Sequence, residues 1–576
     1  MKDTNNNSKN FTKDSTKKIK SLAKIFGKKE KMMLYSAIFL LVAGLAGWSI
    51  YYYFSSTKEV PAQGGEYTEG IVGKPVYVNP LLSQANEVDA TISDLVFSSL
   101  FKYNKNAKIE KDLTESYEVS EDKKTYTVKI KEGIKWHDGK DLTAEDIYFT
   151  TKLIQNPQFK STLRGNFQDT EVEVVDNQTI KFTLEEPFSP FLNKLTFGIL
   201  PKHIFESISS GNFLINEFNL KPVGSGPFEF ADYKKDNQDN IISYQLISND
   251  DYYNKKPYLE KINFNFYNSE EELIQAYNKK EINGFGVFSY ENIGPFEESK
   301  STKVKSFSIP RYFSVFYNQT KSKPLADENV RKALSYATNR EEIINEVFDG
   351  YAEKTYSPIL KSFGNFSSSQ DVEKYKYDLE KAKKILREAD WEKQDDKGLR
   401  KKDDTELKFS LVCANWEPLS QTAEILEKQW EKLGVEVEIS VLDVSDIQQN
   451  YIKTRDYEAL LFGQEYFGND PDLYHFWHSS EKHDPGKNLT LFDEEEVDEI
   501  LEESRKIHDI QERQEKYNEL EEKIAEEIPA TFLFTPNYVY ILNNKIKGVD
   551  TESITNLSLR FQQINEWYKN TKRIKK

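Results

Sequence analysis

Two sets of side chains have the types and spacing from which chemistry is usually built. In Trp136-His137-Asp138-Gly139 a histidine stands beside an acid, the pairing that serves general acid–base catalysis. An Asp-Gly step after a strand-like run is also turn chemistry, and on that ground His137 is read as scaffold. His475, His478, His483 and Asp484 form the second set. They are donors that a divalent metal accepts, and His475 and His478 would share one face of a helix. Asp470-Pro471-Asp472 fits either a turn or a ligand contact. Beyond these the chain offers little to a reaction. With 95 acidic residues, some carboxylate pair will lie at glycosidase separation by chance. No G-x-S-x-G, H-E-x-x-H or Walker loop is present. The one cysteine, Cys413, excludes a disulfide framework and a Cys-based zinc or iron–sulfur site. Neither an enzyme activity nor a cofactor is expected.

The elements that would position these residues are mixed. Thr125–Ile130 alternates Tyr126, Val128 and Ile130 with polar residues, which predicts a strand with one buried face. Asp176-Asn177-Gln178 separates Val172 and Val174 from Ile180, Phe182 and Leu184, a hairpin pattern. Thr143 and Asp146 make a capping box that opens a helix through Leu153. Leu419, Ala423, Leu426, Trp430 and Leu433 follow helical spacing up to a C-cap at Gly434, and a strand follows over Val435–Val441. Val330–Ala337 and Leu379–Ala389 give two more amphipathic helices. Glu494–Glu527 is helical and acidic, with a break expected near His508–Gln511. Cys413 falls in the strand-like run Phe409–Ala414 as a small buried hydrophobe. No fixed-period repeat is present, so the body is α/β rather than a solenoid or bundle.

The 576 residues exceed what one core fills, so two to four domains are expected. Charge is divided by region. Residues 1–32 hold ten lysines against Asp3, Asp14 and Glu30, although the whole chain carries a net charge of −17. An acidic body repels phosphate backbones, which excludes nucleic acid as a partner. From Met32 to Phe54 no residue is charged. As a helix that stretch would be about 34 Å long, enough to span a hydrocarbon core of about 30 Å. Trp48, Tyr51, Tyr52 and Tyr53 stand where an interfacial aromatic belt belongs. The lysine-rich flank places residues 1–31 in the cytoplasm and residues 55–576 outside the cell membrane, with 32–54 as a single-pass anchor and 55–66 as a tether. A cleaved signal peptide is the competing reading, but its apolar run is usually shorter.

Several segments in order resemble one family, the extracytoplasmic solute-binding proteins of peptide-type ABC importers (family 5). Leu113–Ile147 is similar to its strand, K-x-G-[IV]-x-[WF]-H-D-G and L-T-A-x-D signature. Gly224–Phe228 resembles G-[TS]-G-P-[YF], and Asn249–Tyr253 with Lys256–Leu259 resembles N-x-x-Y-[WY]…K-P-Y-L. Val330–Ala337 with Asn339-Arg340, then Asp456–Glu458, Asp470–Asp472 and Phe476–Ser480, complete the run over roughly residues 70–550. Because His478 lies in the family's common H-S-S segment, the resemblance argues against the metal reading. It implies a two-lobed, hinged fold of three domains. Domain I would be 67–102, 222–312 and 535–576, domain II 103–221, and domain III 313–534. Pro222, Gly224, Gly226 and Pro227 support the cut near 222 physically.

The resemblance also implies a site. Relatives hold a peptide as an extended strand paired with two chain segments, which by position would be Ala85-Asn86-Glu87 and Gly463-Gln464-Glu465. Where many relatives have an Asp for the ligand's ammonium, four residues before Pro471, this chain has Phe467. A buried ammonium needs a counter-charge, so Glu465 or Asp470 would have to serve, or the ligand lacks a free amino terminus there. Trp416, Tyr466 and Phe467 are candidate aromatic walls. The expected function is a monomeric, membrane-anchored receptor that captures oligopeptides and delivers them to ABC permease subunits. A non-peptide ligand (an oligosaccharide or metal chelate) and an anchored peptide holder or sensor without a transporter remain the alternatives.

Overall fold

The computed structural model describes residues 27–287, 289–363, 366, 368, 375–393, 398–466, 468 and 470–576. The chain divides into two compact units, Gln63–Lys569 and the pair of segments Met1–Ala62 and Asn570–Lys576.

Within the larger unit the hydrophobic alternation resolves into three principal sheets. A seven-stranded sheet runs in the order Thr302–Phe307, Tyr538–Asn543, Gly284–Val287, Glu66–Val72, Lys261–Tyr267, Ile241–Ser248 and Phe228–Lys235. A six-stranded sheet runs Ala352–Lys354, Ala530–Pro536, Arg311–Tyr317, Ala459–Glu465, Lys408–Ala414 and Glu436–Leu442. A four-stranded antiparallel sheet orders Thr114–Val119, Thr125–Ile130, Thr179–Leu184 and Thr170–Asp176, the last two joined as the hairpin the sequence predicts. The first two sheets mix parallel and antiparallel neighbours, which makes the fold α/β with long crossovers.

The helices follow the caps. Thr143 and Asp146 close a capping box on Ala144–Gln155. Glu417–Glu431 is followed by Gly434 at φ 82°, and Glu436–Leu442 then runs parallel to Lys408–Ala414, leaving Cys413 buried. The long acidic region breaks into Glu495–Lys506 and Ile510–Glu527, with Asp509 capping the second helix through the Gln511 and Glu512 amides. Arg331 and Arg340 are buried and staple their helices to main-chain carbonyls of Glu527, Ile528 and Phe532.

The smaller unit corrects one expectation. The apolar helix spans Lys28–Ser56 with none of its residues buried, and it is the one described helix long and apolar enough to cross a membrane. The segment beyond it, expected as a tether over 55–66, instead forms the strand Thr57–Ala62. That strand pairs antiparallel with Asn570–Lys575, which the expected boundaries had given to domain I. Pro61, Gln63, Gly64 and Gly65 carry the local signature of a linker. The partner that orders the strand lies about 500 residues away, where no local pattern reaches it.

Candidate functional site

The helix Glu87–Val96 begins where Asn86 accepts a hydrogen bond from the Val88 amide, and it ends against Gly224-Ser225-Gly226. The Gly226 amide donates to Val96 O at 2.8 Å. His137 clamps the same loop from the other side. Its amide donates to Gly224 O (2.8 Å), its Nδ1 accepts from the Gly224 amide (3.1 Å), and its Nε2 donates to Gly226 O (3.2 Å). Asn249 Nδ2 also reaches Gly226 O, at 3.0 Å. Three of the motifs legible in the sequence thus fasten one another. His137 is scaffold, its imidazole held neutral by burial, which depresses its pKa to about 4.

That knot forms one side of a cavity of about 280 Å3. Ser93, Asp94 and Leu95 reach it from the last turns of Glu87–Val96, and Pro227 and Tyr252 from the glycine loop and the segment after it. Lys102 comes from the short strand Phe101–Tyr103, Asp112 from just after its partner Ile109–Lys111, and Lys194 from the helix Phe191–Lys194. Glu465, Tyr466 and Gly468 come from the end of Ala459–Glu465, and Thr555–Asn565 closes the remainder. The helix C-terminus contributes a partial negative charge to this wall. Asp94 lies beside it, its carboxyl pushed up to about 6 by burial despite the Ser558 hydroxyl that donates to it. Lys194 is pushed down to about 8, again by burial, and its ammonium lies 4.3 Å from the Phe188 ring centre.

Three acceptors on the cavity wall have unmet capacity. Asp112 Oδ1 lies 3.4 Å from Lys102 Nζ but accepts no hydrogen bond from any described residue. Gln562 Oε1 and Asn565 Oδ1 are likewise buried and accept none. A buried acceptor left unmatched costs about 1–3 kcal/mol, so three around one cavity favour a ligand that brings N–H donors. None of the lining residues is His, Cys or Met.

The residues nominated from sequence are dispersed. Glu465 and Tyr466 line the cavity, but Glu465 is already paired with Arg311, whose Nε donates to it at 2.7 Å. Tyr466 is buried, its hydroxyl spent on Pro358 O at 2.9 Å. Asp470 does not line this cavity. Its Oδ2 accepts from Arg513 Nη2 at 2.8 Å, while Oδ1 is a buried acceptor without a partner among the described residues. Desolvation raises the Asp470 pKa against the pull of Arg513. Asp472 is paired with Arg505 at 3.0 Å, so arginines hold both acids of the Asp-Pro-Asp turn. Phe467 lies outside the described residues.

Gly463 and Gln464 sit on Ala459–Glu465, which pairs with Arg311–Tyr317 along its whole length but with Lys408–Ala414 only as far as Leu461. The Tyr466 amide donates to Pro310 O. Antiparallel alternation therefore turns the backbone groups of Gly463 and Glu465 away from Arg311–Tyr317, toward the edge where the ladder has ended. Gln464 points inward, accepting from the Tyr312 hydroxyl. Trp416 packs on Phe313 at 5.4 Å between ring centres and is not on the cavity wall. Ala85, Asn86 and Glu87 are not an extended edge. They are the end of a 3-10 turn, a helix N-cap and a first helical residue, with Glu87 held by Arg560 at 3.2 Å, and only the adjoining Gln84 touches the cavity. The Asn86-Glu87-Val88-Asp89 run is the polar, acid-rich start expected of a helix. Sequence reasoning missed Asp94, Lys102, Asp112, Lys194, Gln562 and Asn565. They carry no local motif and meet only in the fold.

His475 lies against Glu481 at 3.0 Å, and His478 stacks on Tyr474 at 4.1 Å with Glu502 3.4 Å from its Nε2. No cluster of three potential metal ligands occurs among the described residues.

Comparison with known proteins follows the same outline. Residues 108–484 match the family model of bacterial extracellular solute-binding proteins, family 5. The oligopeptide-binding protein AppA of Bacillus subtilis is 30% identical over 496 residues, covering 85% of this chain and 89% of that protein. Its solved structure in complex with a nonapeptide superposes with a TM-score of 0.68 at 28% identity, covering 88% of this chain and 99% of that one. The substrate-binding protein CtaP of Listeria monocytogenes gives a TM-score of 0.75 at 28% identity, with coverage of 88% and 99%.

Proposed function

The chain belongs to the bacterial extracellular solute-binding proteins of family 5, and from that premise we propose that it is an anchored receptor that captures oligopeptides and delivers them to an ABC permease. The observation that carries the peptide assignment is the set of unmatched acceptors, Asp112 Oδ1, Gln562 Oε1 and Asn565 Oδ1, on residues that line one cavity. A peptide brings a main-chain N–H at nearly every residue and, at its amino terminus, an ammonium. Asp112, whose Oδ1 lies 3.4 Å from Lys102 but accepts no hydrogen bond from a described residue, offers the ammonium an open acceptor within the cavity, whereas Glu465 is held by Arg311 and Asp470 is outside the lining. The open edge at Gly463 and Glu465 supplies the main-chain pairing that tolerates any side chain. The sheets group the chain in a way that supports three domains, at 67–102 with 222–312 and 535–569, at 103–221, and at 313–534, closing about the cavity. The Lys28–Ser56 helix serves as the membrane anchor, with the lysine-rich segment before it in the cytoplasm and the chain after it outside the cell as a monomer.

Native mass spectrometry of the full chain, purified gently from its host, tests this. A spread of peptide masses is the expected result. A single non-peptide mass would overturn the peptide assignment while leaving the receptor fold intact.

A further inference from the structure

The strands Thr57–Ala62 and Asn570–Lys575 form a two-stranded ribbon that starts one residue after the apolar helix ends at Ser56. Arg573 fixes that junction. Its guanidinium donates to Phe54 O (3.2 Å), Thr57 O (3.1 Å) and Thr57 Oγ1 (2.9 Å), and it lies 4.5 Å from the Phe54 ring centre. These bonds satisfy carbonyls that a helix end leaves open. The junction is therefore ordered, and a strand of six residues extends only about 20 Å from the helix end.

The register sorts the ribbon's side chains. Lys58 stands opposite Ile574 and Val60 opposite Lys572, and opposed residues share a face. That face alternates two cations with two aliphatic side chains, and Ile574 is 40% exposed. On the other face Lys575 stands opposite Thr57, on the rung nearest the helix. Lys58, Lys572 and Lys575 are exposed and have no acidic partner among the described residues. A soluble acidic chain has no evident use for an exposed, unpaired cationic–aliphatic face. A bilayer surface does, because headgroup phosphates take the ammonium groups while the aliphatic side chains enter the interface.

We propose that this ribbon is a binding site for anionic phospholipid headgroups of the leaflet in which the helix ends. The inference rests on the anchor reading of Lys28–Ser56. The charge it uses lies on the side opposite the lysine-rich residues 1–31, so the two clusters would grip opposite leaflets.

The test uses the full chain in lipid nanodiscs of pure phosphatidylcholine or with about one third phosphatidylglycerol, reading hydrogen exchange in peptides covering 57–62 and 570–576. Exchange several-fold slower in the anionic discs is expected, since each lysine near a charged surface is worth about fivefold. The slowing should vanish in Lys58→Gln/Lys572→Gln/Lys575→Gln, whose exchange in neutral discs stays that of the parent if the ribbon is intact. Equal exchange in both lipids, or slowing that persists in the triple variant, overturns the lipid contact alone. Release of the chain from the discs by alkaline carbonate overturns the anchor, and the lipid contact with it.

Discussion

Arg560 Nε lies 3.0 Å from Glu69 Oε1, with both side chains shut off from solvent. Glu69 Oε2 also accepts from the hydroxyls of Tyr67 (2.6 Å) and Tyr540 (2.5 Å), and Arg560 Nη1 reaches Leu557 O at 2.7 Å. One ion pair thus ties the strand Glu66–Val72, the strand Tyr538–Asn543 and the turn that lines the cavity through Ser558 and Phe561. Arg560→Met strands a buried carboxylate and should cost about 3–5 kcal/mol, read as a lowered urea midpoint. Glu69→Gln together with Arg560→Met should recover much of that loss. A double variant no better than the single one would show that the charge pairing is not what the site requires.

His137 makes stability fall in acid. Its pKa is about 4 in the fold against about 6.5 in an unfolded chain, so the unfolded state binds the proton first as pH falls. Its contribution is intact above pH 7 and is lost progressively between about pH 6.5 and 4, amounting to about 3 kcal/mol. His137→Gln should lower stability at neutral pH through the lost Gly224 and Gly226 bonds, yet flatten this acid limb. Parallel urea midpoints at pH 7 and pH 4.5 would expose an unchanged slope.

Asp94 acts with the opposite sign. Its carboxyl titrates at about 6 in the fold, above its unfolded value near 4, so the folded state holds the proton more tightly. Its contribution is fully present below about pH 4 and is lost as pH rises through 6. Asp94→Asn keeps an acceptor for Ser558 but cannot ionise. Relative to the parent it should gain stability between pH 4 and pH 7, by well under the full shift because solvent still reaches this side chain. Asp89, also raised to about 6, is common to both proteins and cancels. A difference that does not move with pH would refute the burial assigned to this carboxyl.

Gly224 is needed for space rather than for an unusual backbone angle. A Cβ there would stand 1.9 Å from Val96 O, a main-chain atom that cannot swing aside. Gly224→Ala should cost about 3 kcal/mol and disturb the Asp94 side of the cavity. Gly165→Ala, with nothing within 4 Å of its added carbon, should stay within about 0.5 kcal/mol. Similar thermal shifts for the two would mean that the helix end yields easily.

What the sequence made legible was local. The capping box at Thr143, the hairpin at Asp176–Gln178 and the break before Ile510 are each decided by neighbours a few residues apart, and each stands in the fold. The glycines of 224–226 were legible as punctuation, but their reason, the approach of Val96 across 128 positions, was not. Glu69 and Arg560 meet across 491 positions, and the strand after the apolar helix finds its partner over a similar distance. One of the two expected binding segments is not extended, for a related reason. Only the resemblance points to Ala85–Glu87, and its own helix-start chemistry, legible in Asn86 and Asp89, argues against an extended edge. Asp112, Gln562 and Asn565 stand beside ordinary polar neighbours, and only one buried, unmatched oxygen on each sets them apart.

Those three residues give the last prediction. If a peptide's N–H groups complete the hydrogen bonding of these oxygens, removing an acceptor costs affinity. A hydrogen bond to a charged acceptor contributes about 1.5–3 kcal/mol, so Asp112→Asn should weaken binding by about ten- to a hundredfold. Gln562→Leu removes a neutral acceptor and should weaken it by about fivefold. Asp112→Asn gives up the Lys102 pairing (3.4 Å) and Gln562→Leu the Nε2 bond to Ser553 O (3.0 Å), so each should melt slightly below the parent. N-acetylation of the peptide supplies the internal control. If Asp112 receives the ammonium, acetylation should weaken binding to the parent by a similar factor and barely affect Asp112→Asn. Calorimetric titration of the free and acetylated peptide into both proteins reads this as a double-mutant cycle. Additive losses would remove Asp112 from the ammonium subsite and return Asp470, with its one unmatched oxygen beside Arg513, as the candidate.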